Sequence, residues 1–277
     1  MDDGSHDDTE DVIKKFMNED IHYQYHKLCV NSGGASIPRN LGNKLARGEY
    51  TIYIDSDDNI YPYTINEIIN FVDKTNCDIC YFKVKALNGR TGTKSTFRYG
   101  TVEEADVLQH FLLRTLAPYK CIRTSLIKFH DISFPNMRSG EDAIFILACL
   151  SNAFKVSILA DKDYYDLHVS DEYGLTNNNG SFSRYEKLLP KFTAACSAIA
   201  FSNSDYIYKL KVFNGYMSRT FDDIINTKNC DNVDLIRSIL KFIYGFNFII
   251  IEDNIKFSAH RELYKTFKLH DIYGVCH

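Results

Sequence analysis

The chain has 277 residues, of which 45 % are hydrophobic and 25 % are charged, and its formal net charge is −4 at pH 7. This is the composition of a globular protein, and it excludes collagen-like, low-complexity and disordered classes. The slightly acidic balance also excludes a nucleic-acid partner that is attracted by overall basicity. The longest apolar stretch, residues 242–251, is far shorter than the roughly 20 residues that a membrane-spanning helix needs.

The cysteines lie mostly inside apolar segments. That placement favours reduced, buried thiols over a disulfide framework, so we expect a cytoplasmic protein. Cys77 and Cys80 have the spacing of a redox or zinc motif, but no second Cys or His pair follows at finger spacing. We therefore interpret them as packing residues.

A protein in the cytoplasm can also associate peripherally with the inner face of the membrane, and the sequence leaves this alternative open.

The first part of the sequence alternates between helix and strand patterns. The predicted elements are, in chain order, a helix over residues 10–16, a strand over 26–30, a helix over 36–48, a strand over 51–54, a helix from 64 onward and a strand over 78–85. Ser36 is the expected N-cap of the second helix, and Thr64 with Glu67 predicts a capping box for the third. The alternation indicates an α/β protein with a parallel sheet, which binds ligands at the carboxyl ends of its strands.

The second part of the sequence becomes helical. Its predicted elements are a helix over residues 102–114, an apolar helix over 143–150, strands over 155–159 and 164–168, and long helical periods from 181 onward. We therefore expect an α/β domain over residues 1–180 and a helical region over residues 181–277.

Three carboxylates follow the predicted strand over residues 51–54, namely Asp55, Asp57 and Asp58. So much negative charge in four residues is costly unless a cation neutralises it, and hard oxygen ligands suit Mg²⁺ or Mn²⁺. A plain solvated acidic turn is the simpler alternative. A divalent ion held by so few carboxylates usually takes its remaining oxygens from a phosphate-bearing substrate.

Two other functions compete for the same aspartates. An EF-hand that starts at Asp55 would need a glycine and a glutamate where Ile60 and Asn66 stand, which excludes a calcium sensor. A phosphohydrolase with an aspartate nucleophile would use Asp55 as the nucleophile and Asp57 as the acid/base. Asn59 stands where that class usually has Thr or Val, so this interpretation is the weaker one.

Four segments, taken together and in order, resemble the family 2 glycosyltransferases of GT-A fold. They are DDGSHDDT at residues 2–9, NSGGASIPRNLG at 31–42, ARGEYTIYIDSDD at 46–58 and SGEDAIF at 139–145. Each segment alone is weak evidence, but all four stand in family order at family-like spacing. The Ser-x-Pro-Arg-Asn wording and the helical tail are most similar to bacterial enzymes that decorate wall teichoic acid or build capsule and other surface polysaccharides.

The resemblance implies a nucleotide-diphosphate sugar, most often a UDP-sugar, as the donor. Asp3, and with it Asp2, would face a uracil-like edge, because a carboxylate accepts a hydrogen bond from a ring N–H. Arg39 would contact the base or the diphosphate, and Asp55 would face the ribose. The metal would be held by a set comprising Asp57, Asp58 and His168, the last brought in by a closing loop.

The resemblance also implies inversion at the anomeric carbon and a saccharide or polyol-phosphate acceptor. Asp142 corresponds to the catalytic base, which must reach the acceptor hydroxyl, and Glu141 would bind the acceptor or the donor sugar. A simpler role for these two residues is to favour the helix amino terminus through its dipole.

One departure from the family pattern concerns the amino terminus. Family members carry a strand, a loop and a helix before the segment that matches residues 2–9. We therefore expect the chain to lack the first strand of the GT-A sheet, as a truncated form of an active enzyme or as a non-catalytic remnant that acts as a binding module.

Overall fold

The computed structural model describes residues 1–17, 23–87, 94–137, 139–168, 184–225, 232–255 and 257–274. Its strands are β1 (Tyr50–Ile52), β2 (Asn59–Ile60), β3 (Ile79–Phe82), β4 (Val84–Ala86), β5 (Cys121–Arg123), β6 (Val156–Leu159) and β7 (Tyr165–Leu167). Its α-helices are α1 (Thr9–Phe16), α2 (Ser36–Leu45), α3 (Thr64–Thr75), α4 (Lys94–Phe97), α5 (Thr124–Phe129), α6 (Glu141–Asn152), α7 (Arg184–Ala200), α8 (Tyr206–Ile225), α9 (Asn232–Gly245) and α10 (Ser258–Gly274).

The predicted α/β class with a helical carboxyl-terminal region is confirmed, but the sheets are mixed rather than parallel. One sheet has the order β1-β5-β3-β6, in which only the β3–β6 pair is parallel. A smaller sheet has the order β2-β7-β4. No sequence pattern predicted β5, which inserts antiparallel between the two predicted strands β1 and β3.

The helix predicted over residues 102–114 is wrong. Val102 exchanges two backbone hydrogen bonds with Ile158, and the Ala105 N–H donates to the Val156 carbonyl at 2.7 Å. This segment therefore extends the sheet beside β6, since its backbone groups find partners there. Phe111 then takes a left-handed φ of 53°, and only Leu112–Arg114 forms a single 3₁₀ turn.

The strand predicted over residues 26–30 reduces to one bridge, in which Lys27 pairs with Asp2 in parallel. Both predicted caps are also wrong, because the hydroxyls have tertiary partners. Ser36 donates to the Pro135 carbonyl at 2.9 Å, and Thr64 donates to the Tyr164 carbonyl at 2.7 Å. The helices α2 and α3 nevertheless form where their apolar periodicity predicts them.

The helical region packs onto α6, and one apolar core runs through both parts. It contains Phe145 and Leu147 of α6, Phe192 of α7, and Phe213 and Tyr216 of α8. Burial of such side chains stabilises the fold by about 25 cal/mol per Å² of apolar surface. None of the described helices is both long enough and apolar enough to cross a membrane. The boundary predicted at residue 180 lies outside the described residues.

Candidate active site

The acidic turn, residues 55–58, lies between the end of β1 and the start of β2. The Asp58 N–H donates to the Asp55 carbonyl at 3.1 Å, which closes the turn. Ligand oxygens of Asp55, Asp57 and Asp58 all lie within 4.8 Å of one another. The structure therefore brings together the three carboxylates that the sequence singled out.

Strand β7 holds Asp58 in place. Its carboxylate accepts a hydrogen bond from the Tyr165 hydroxyl at 2.7 Å and another from the His168 N–H at 2.8 Å. The Tyr165 hydroxyl in turn accepts from the Asp55 N–H at 3.1 Å. Burial raises the pKa of Asp58, against the effect of these two hydrogen bonds. A cation would favour the ionised form.

Asp57 and Asp58 fit a hard divalent cation. Asp57 is exposed at the acidic turn, and Asp58 still has lone pairs beyond its two hydrogen bonds. Carboxylate oxygens at this spacing suit Mg²⁺ or Mn²⁺, and an exposed turn leaves room for phosphate oxygens and water. His168 touches Asp58 through its main chain, while its ring nitrogen Nε2 lies 3.1 Å from the Asn59 amide.

Asp55 has a different environment from the other two aspartates. One of its oxygens receives Arg39 Nη2 at 2.5 Å, and the other accepts from the Tyr119 hydroxyl at 2.9 Å. The Tyr119 ring also stacks on Tyr165, with ring centroids 4.6 Å apart. Asp55 is therefore held by protein side chains on both oxygens in the ligand-free chain.

Asp142 lies in the first turn of α6, where Gly140 begins the helix with a φ of 94°. Its carboxylate receives Arg39 Nη1 at 2.6 Å. Burial raises the pKa of Asp142 to about 6, although Arg39 opposes the shift, and Glu141 adds to it. A carboxylate with a pKa close to neutral is suited to general base catalysis.

The buried Glu141 oxygen Oε2 has no hydrogen-bond partner within the described part of the chain. An unsatisfied buried carboxylate oxygen is costly, and a ligand hydroxyl at this position would relieve the cost.

The amino-terminal motif forms a loop beside α2. The buried Asp2 accepts hydrogen bonds from the Tyr25 hydroxyl and from the Ser5 N–H, which lower its pKa to about 2. Asp3 accepts from the Ser32 N–H at 2.9 Å. Gly4 has a φ of 79°, and a Cβ there would lie 2.9 Å from the Asn31 nitrogen, so the motif needs glycine.

A cleft of about 930 Å³ connects these parts, with Asp2, Asp3, Arg39 and Asp55 among the residues in its wall. This volume suits a small-molecule ligand of nucleotide-sugar size. Since Arg39 joins Asp55 to Asp142, the predicted base stands at the side of the same cleft.

Several residues around the site were not anticipated from the sequence: Tyr25, Asn40, Tyr119, Lys120 and Tyr165. The tyrosines and Lys120 come from loops and strands that carry no motif, and a lone tyrosine has no spacing signal. Asn40 does belong to the Ser-x-Pro-Arg-Asn segment, so that segment could have identified it as structural.

Comparison with known proteins defines the class. Residues 1–129 match the family model described as glycosyl transferase family 2. The chain therefore carries a glycosyltransferase family 2 domain, and its mixed α/β architecture is the GT-A fold.

The relatives include teichoic acid glycosyltransferases. The chain is 37 % identical over 166 residues to the poly(ribitol-phosphate) β-N-acetylglucosaminyltransferase TarS of Staphylococcus aureus, covering 60 % of this chain and 29 % of the relative. It is 32 % identical to a poly(ribitol-phosphate) β-glucosyltransferase of Bacillus spizizenii, covering 83 % of this chain and 36 % of the relative. The chain thus spans about a third of the length of these curated relatives.

The solved structures agree with the sequence comparison. The crystal structure of S. aureus TarS 1-349 in complex with UDP-GlcNAc superposes with a TM-score of 0.77 and 28 % identity, covering 88 % of this chain and 71 % of that one.

Proposed function

We propose that this chain is an inverting glycosyltransferase that moves a sugar from a UDP-sugar to a hydroxyl of a teichoic acid or a similar surface polymer. The observation that carries the proposal is the joint position of Asp142, Arg39 and the acidic turn. The guanidinium of Arg39 contacts both Asp142, whose pKa is near neutral, and Asp55, which begins the acidic turn that carries Asp57 and Asp58. A transfer reaction needs a base that accepts the proton of the acceptor hydroxyl. It also needs positive charge that neutralises the leaving diphosphate.

The reaction divides among the residues as follows. Asp142 takes the proton from the acceptor hydroxyl, whose oxygen attacks the anomeric carbon on the face opposite the nucleotide. The bond to the UDP oxygen breaks at the same carbon, so the configuration inverts. Glu141 holds a hydroxyl of the acceptor or the donor sugar through its unpartnered oxygen. Asp57 and Asp58, with His168 beside them, would hold a divalent cation, which would supply positive charge for the leaving diphosphate.

Asp3 and Asp2 lie in the cleft wall, where a carboxylate can accept a hydrogen bond from a nucleobase N–H. The crystal structures of the relative with UDP-GlcNAc and with UDP support a uridine nucleotide as the donor. That relative, TarS, is named a poly(ribitol-phosphate) β-N-acetylglucosaminyltransferase, which supports a polyol-phosphate acceptor for this chain.

Residues 1–180 would form the transferase domain, and the helical region over residues 181–277 would support it through α7 and α8, which pack against α6. The cysteines that the structure describes are free thiols, which fits a cytoplasmic enzyme at the inner face of the membrane.

The hydrolase alternative is disfavoured by the structure. A nucleophilic carboxylate is weakened by a cation bound to it, and Asp55 forms an ion pair with Arg39 on one oxygen while the other accepts from the Tyr119 hydroxyl. No phosphoaspartate is therefore expected there.

The test is UDP release from UDP-GlcNAc and UDP-glucose with Mn²⁺ and poly(ribitol phosphate) as the acceptor. Asp142→Asn should lower turnover at least about 100-fold, because general base catalysis contributes about 10²–10⁴-fold, while UDP affinity is retained. Asp57→Asn should remove the response to Mn²⁺. The matched control is Asp73→Asn, at an exposed position of α3, which should behave as wild type.

Two outcomes would contradict the proposal. Turnover that is undiminished in Asp142→Asn would exclude this residue as the base. UDP-sugar binding without any transfer in the wild-type chain would favour the non-catalytic binding module.

A further inference from the structure

We propose that Arg39 is the positioning residue of the catalytic base: it orients the Asp142 carboxylate and keeps it ionised. This inference rests on the proposed function, in which Asp142 is the base. The sequence implied that Arg39 contacts the nucleotide, and the inference gives Arg39 a second role, which the geometry supports.

The guanidinium of Arg39 bridges two carboxylates that belong to different elements. Nη1 lies 2.6 Å from an oxygen of Asp142 on α6, and Nη2 lies 2.5 Å from an oxygen of Asp55 at the end of β1. The guanidinium is planar and permanently charged, so its two nitrogens fix the direction as well as the distance of both partners. A base that must meet an acceptor hydroxyl in one orientation gains from such a fixed partner.

The backbone around Arg39 is itself pinned, so the bridge has little freedom to move. The Asn40 side chain donates to the Phe134 carbonyl and accepts from the Phe134 N–H, both at 2.8 Å. Ser36 donates to the Pro135 carbonyl. We call these three hydrogen bonds the α2 clamp. They hold α2 against the segment that leads into α6.

The guanidinium also rests on an aromatic shelf. Its carbon lies 5.3 Å from the centroid of the Phe134 ring, which stacks on Phe145 with centroids 3.8 Å apart. Only 14 % of the Arg39 side chain is exposed. The residues of the Ser-x-Pro-Arg-Asn segment therefore act together. Ser36 and Asn40 position α2, and Arg39 contacts Asp142.

Four charged groups influence Asp142. Arg39 and Lys120 favour its ionised form, whereas Glu141 and Asp55 disfavour it, as does burial. Among the described residues, Arg39 is the cation with a direct ion pair to this carboxylate. Without Arg39, the largest effect that favours the ionised form would be lost, whereas burial and two neighbouring carboxylates would remain, so the pKa of Asp142 must rise.

The test measures that pKa directly. Protein labelled with ¹³C in aspartate carboxyl groups is titrated by NMR without ligand, and the Asp142 signal is assigned by its absence in Asp142→Asn. In wild type, the midpoint should lie at about 6. Arg39→Gln should raise it by at least about one pH unit, a tenfold change in proton affinity, and Arg39→Lys should raise it less. The control is Arg47→Gln, an exposed arginine beyond α2, which should leave the midpoint unchanged.

An Arg39→Gln midpoint equal to that of wild type would overturn the inference, whatever happens to activity. Arg39→Lys guards against a mere folding defect, since it keeps the charge, and each variant is accepted only with a native circular dichroism spectrum and a cooperative melt.

Kinetics separate this inference from the proposed function. The acidic limb of the kcat/KM profile should move to higher pH in Arg39→Gln, with activity partly recovered at pH 9. Arg39→Gln could instead raise the Kd for UDP and leave the acidic limb of the kcat/KM profile in place. That result would show that Arg39 acts on the nucleotide only, and it would overturn the inference. If wild type transfers no sugar but the NMR midpoint shifts as expected, the proposed function fails, whereas the electrostatic role of Arg39 holds.

Discussion

At the scale of single residues, the candidate site depends on charged side chains that are buried in the protein. Lys120 is an example outside the motifs, with only 1 % of its surface exposed. Its ammonium donates to the Ala117 carbonyl and lies 4.5 Å from the centroid of the Tyr81 ring. Burial lowers its pKa to about 7, against the attraction of Asp142. Burying such a lysine costs stability, and it places a positive charge near Asp142, the proposed base.

This environment makes a prediction about pH. The folded pKa of Lys120 lies below its ordinary value of 10.5, so the unfolded chain binds more protons than the folded chain between about pH 7 and 9, by about half a proton at pH 7 and nearly one at pH 9. The free energy of unfolding should therefore rise with pH in this window, by up to about 1.4 kcal/mol per unit from this residue. Lys120→Met should lose that slope and be at least as stable as wild type at pH 7, since it removes a buried charge without leaving a cavity.

Urea unfolding at pH 7, 8 and 9 measures the slope. Lys128→Met, which changes an exposed lysine of α5, is the matched control and should keep the wild-type slope. Identical slopes in wild type and Lys120→Met would show that the ammonium is not desolvated. The other charges near Lys120, including Arg219 of α8, are present in both proteins and cancel in the comparison.

At the scale of elements, apolar residues predicted α2, α3 and α6 well, because each helix packs against other elements: α3 against β3 and β6, α2 against α5, and α6 against α5, α7 and α8. The ends of the helices were less predictable. Ser36 and Thr64 have the residue types of caps, yet each hydroxyl bonds to a distant carbonyl instead. A local sequence pattern does not show an acceptor that is distant in the chain. The helix predicted over residues 102–114 is wrong for the same reason, because Val102 and Ala105 form hydrogen bonds with β6. The acidic turn was predictable because a strand end and charge repulsion are both local signals.

The α2 clamp yields a prediction at this scale. Asn40→Ala removes both hydrogen bonds to Phe134 and should cost about 1 to 3 kcal/mol, because it leaves a partly buried N–H and carbonyl without that partner. The shelf under Arg39 should loosen too, so turnover should fall more than UDP affinity does. Asn66→Ala, at an exposed position of α3, is the control. Urea unfolding and UDP-release kinetics check both parts, and an equal fall in turnover and affinity would count against the clamp.

At the scale of the whole molecule, the question is whether the helical region folds separately from the α/β part. A boundary at residue 180 describes the sequence pattern, but the apolar core extends from α6 into α7 and α8. Gly215 of α8 packs tightly against the α/β part: a Cβ there would overlap Leu113 Cδ1 and lie 2.9 Å from Leu108 Cδ2. A shared core predicts one cooperative unit, since neither part can lose its contacts alone.

Gly215→Ala tests this cooperativity. The added methyl should overpack the contact with the buried Leu113 and destabilise the protein by about 1 to 3 kcal/mol, although alanine favours a helix. Gly245→Ala adds the same methyl to α9 at a position where, among the described residues, no atom beyond its chain neighbours and its own helix lies within 4 Å, so it controls for helix propensity. Native-state hydrogen exchange should show α8 and the central strand β3 losing protection by the same free energy in Gly215→Ala. A loss confined to the helices would show that the two regions unfold independently, because only a shared core transmits the strain from α8 to the sheet that carries the acidic turn.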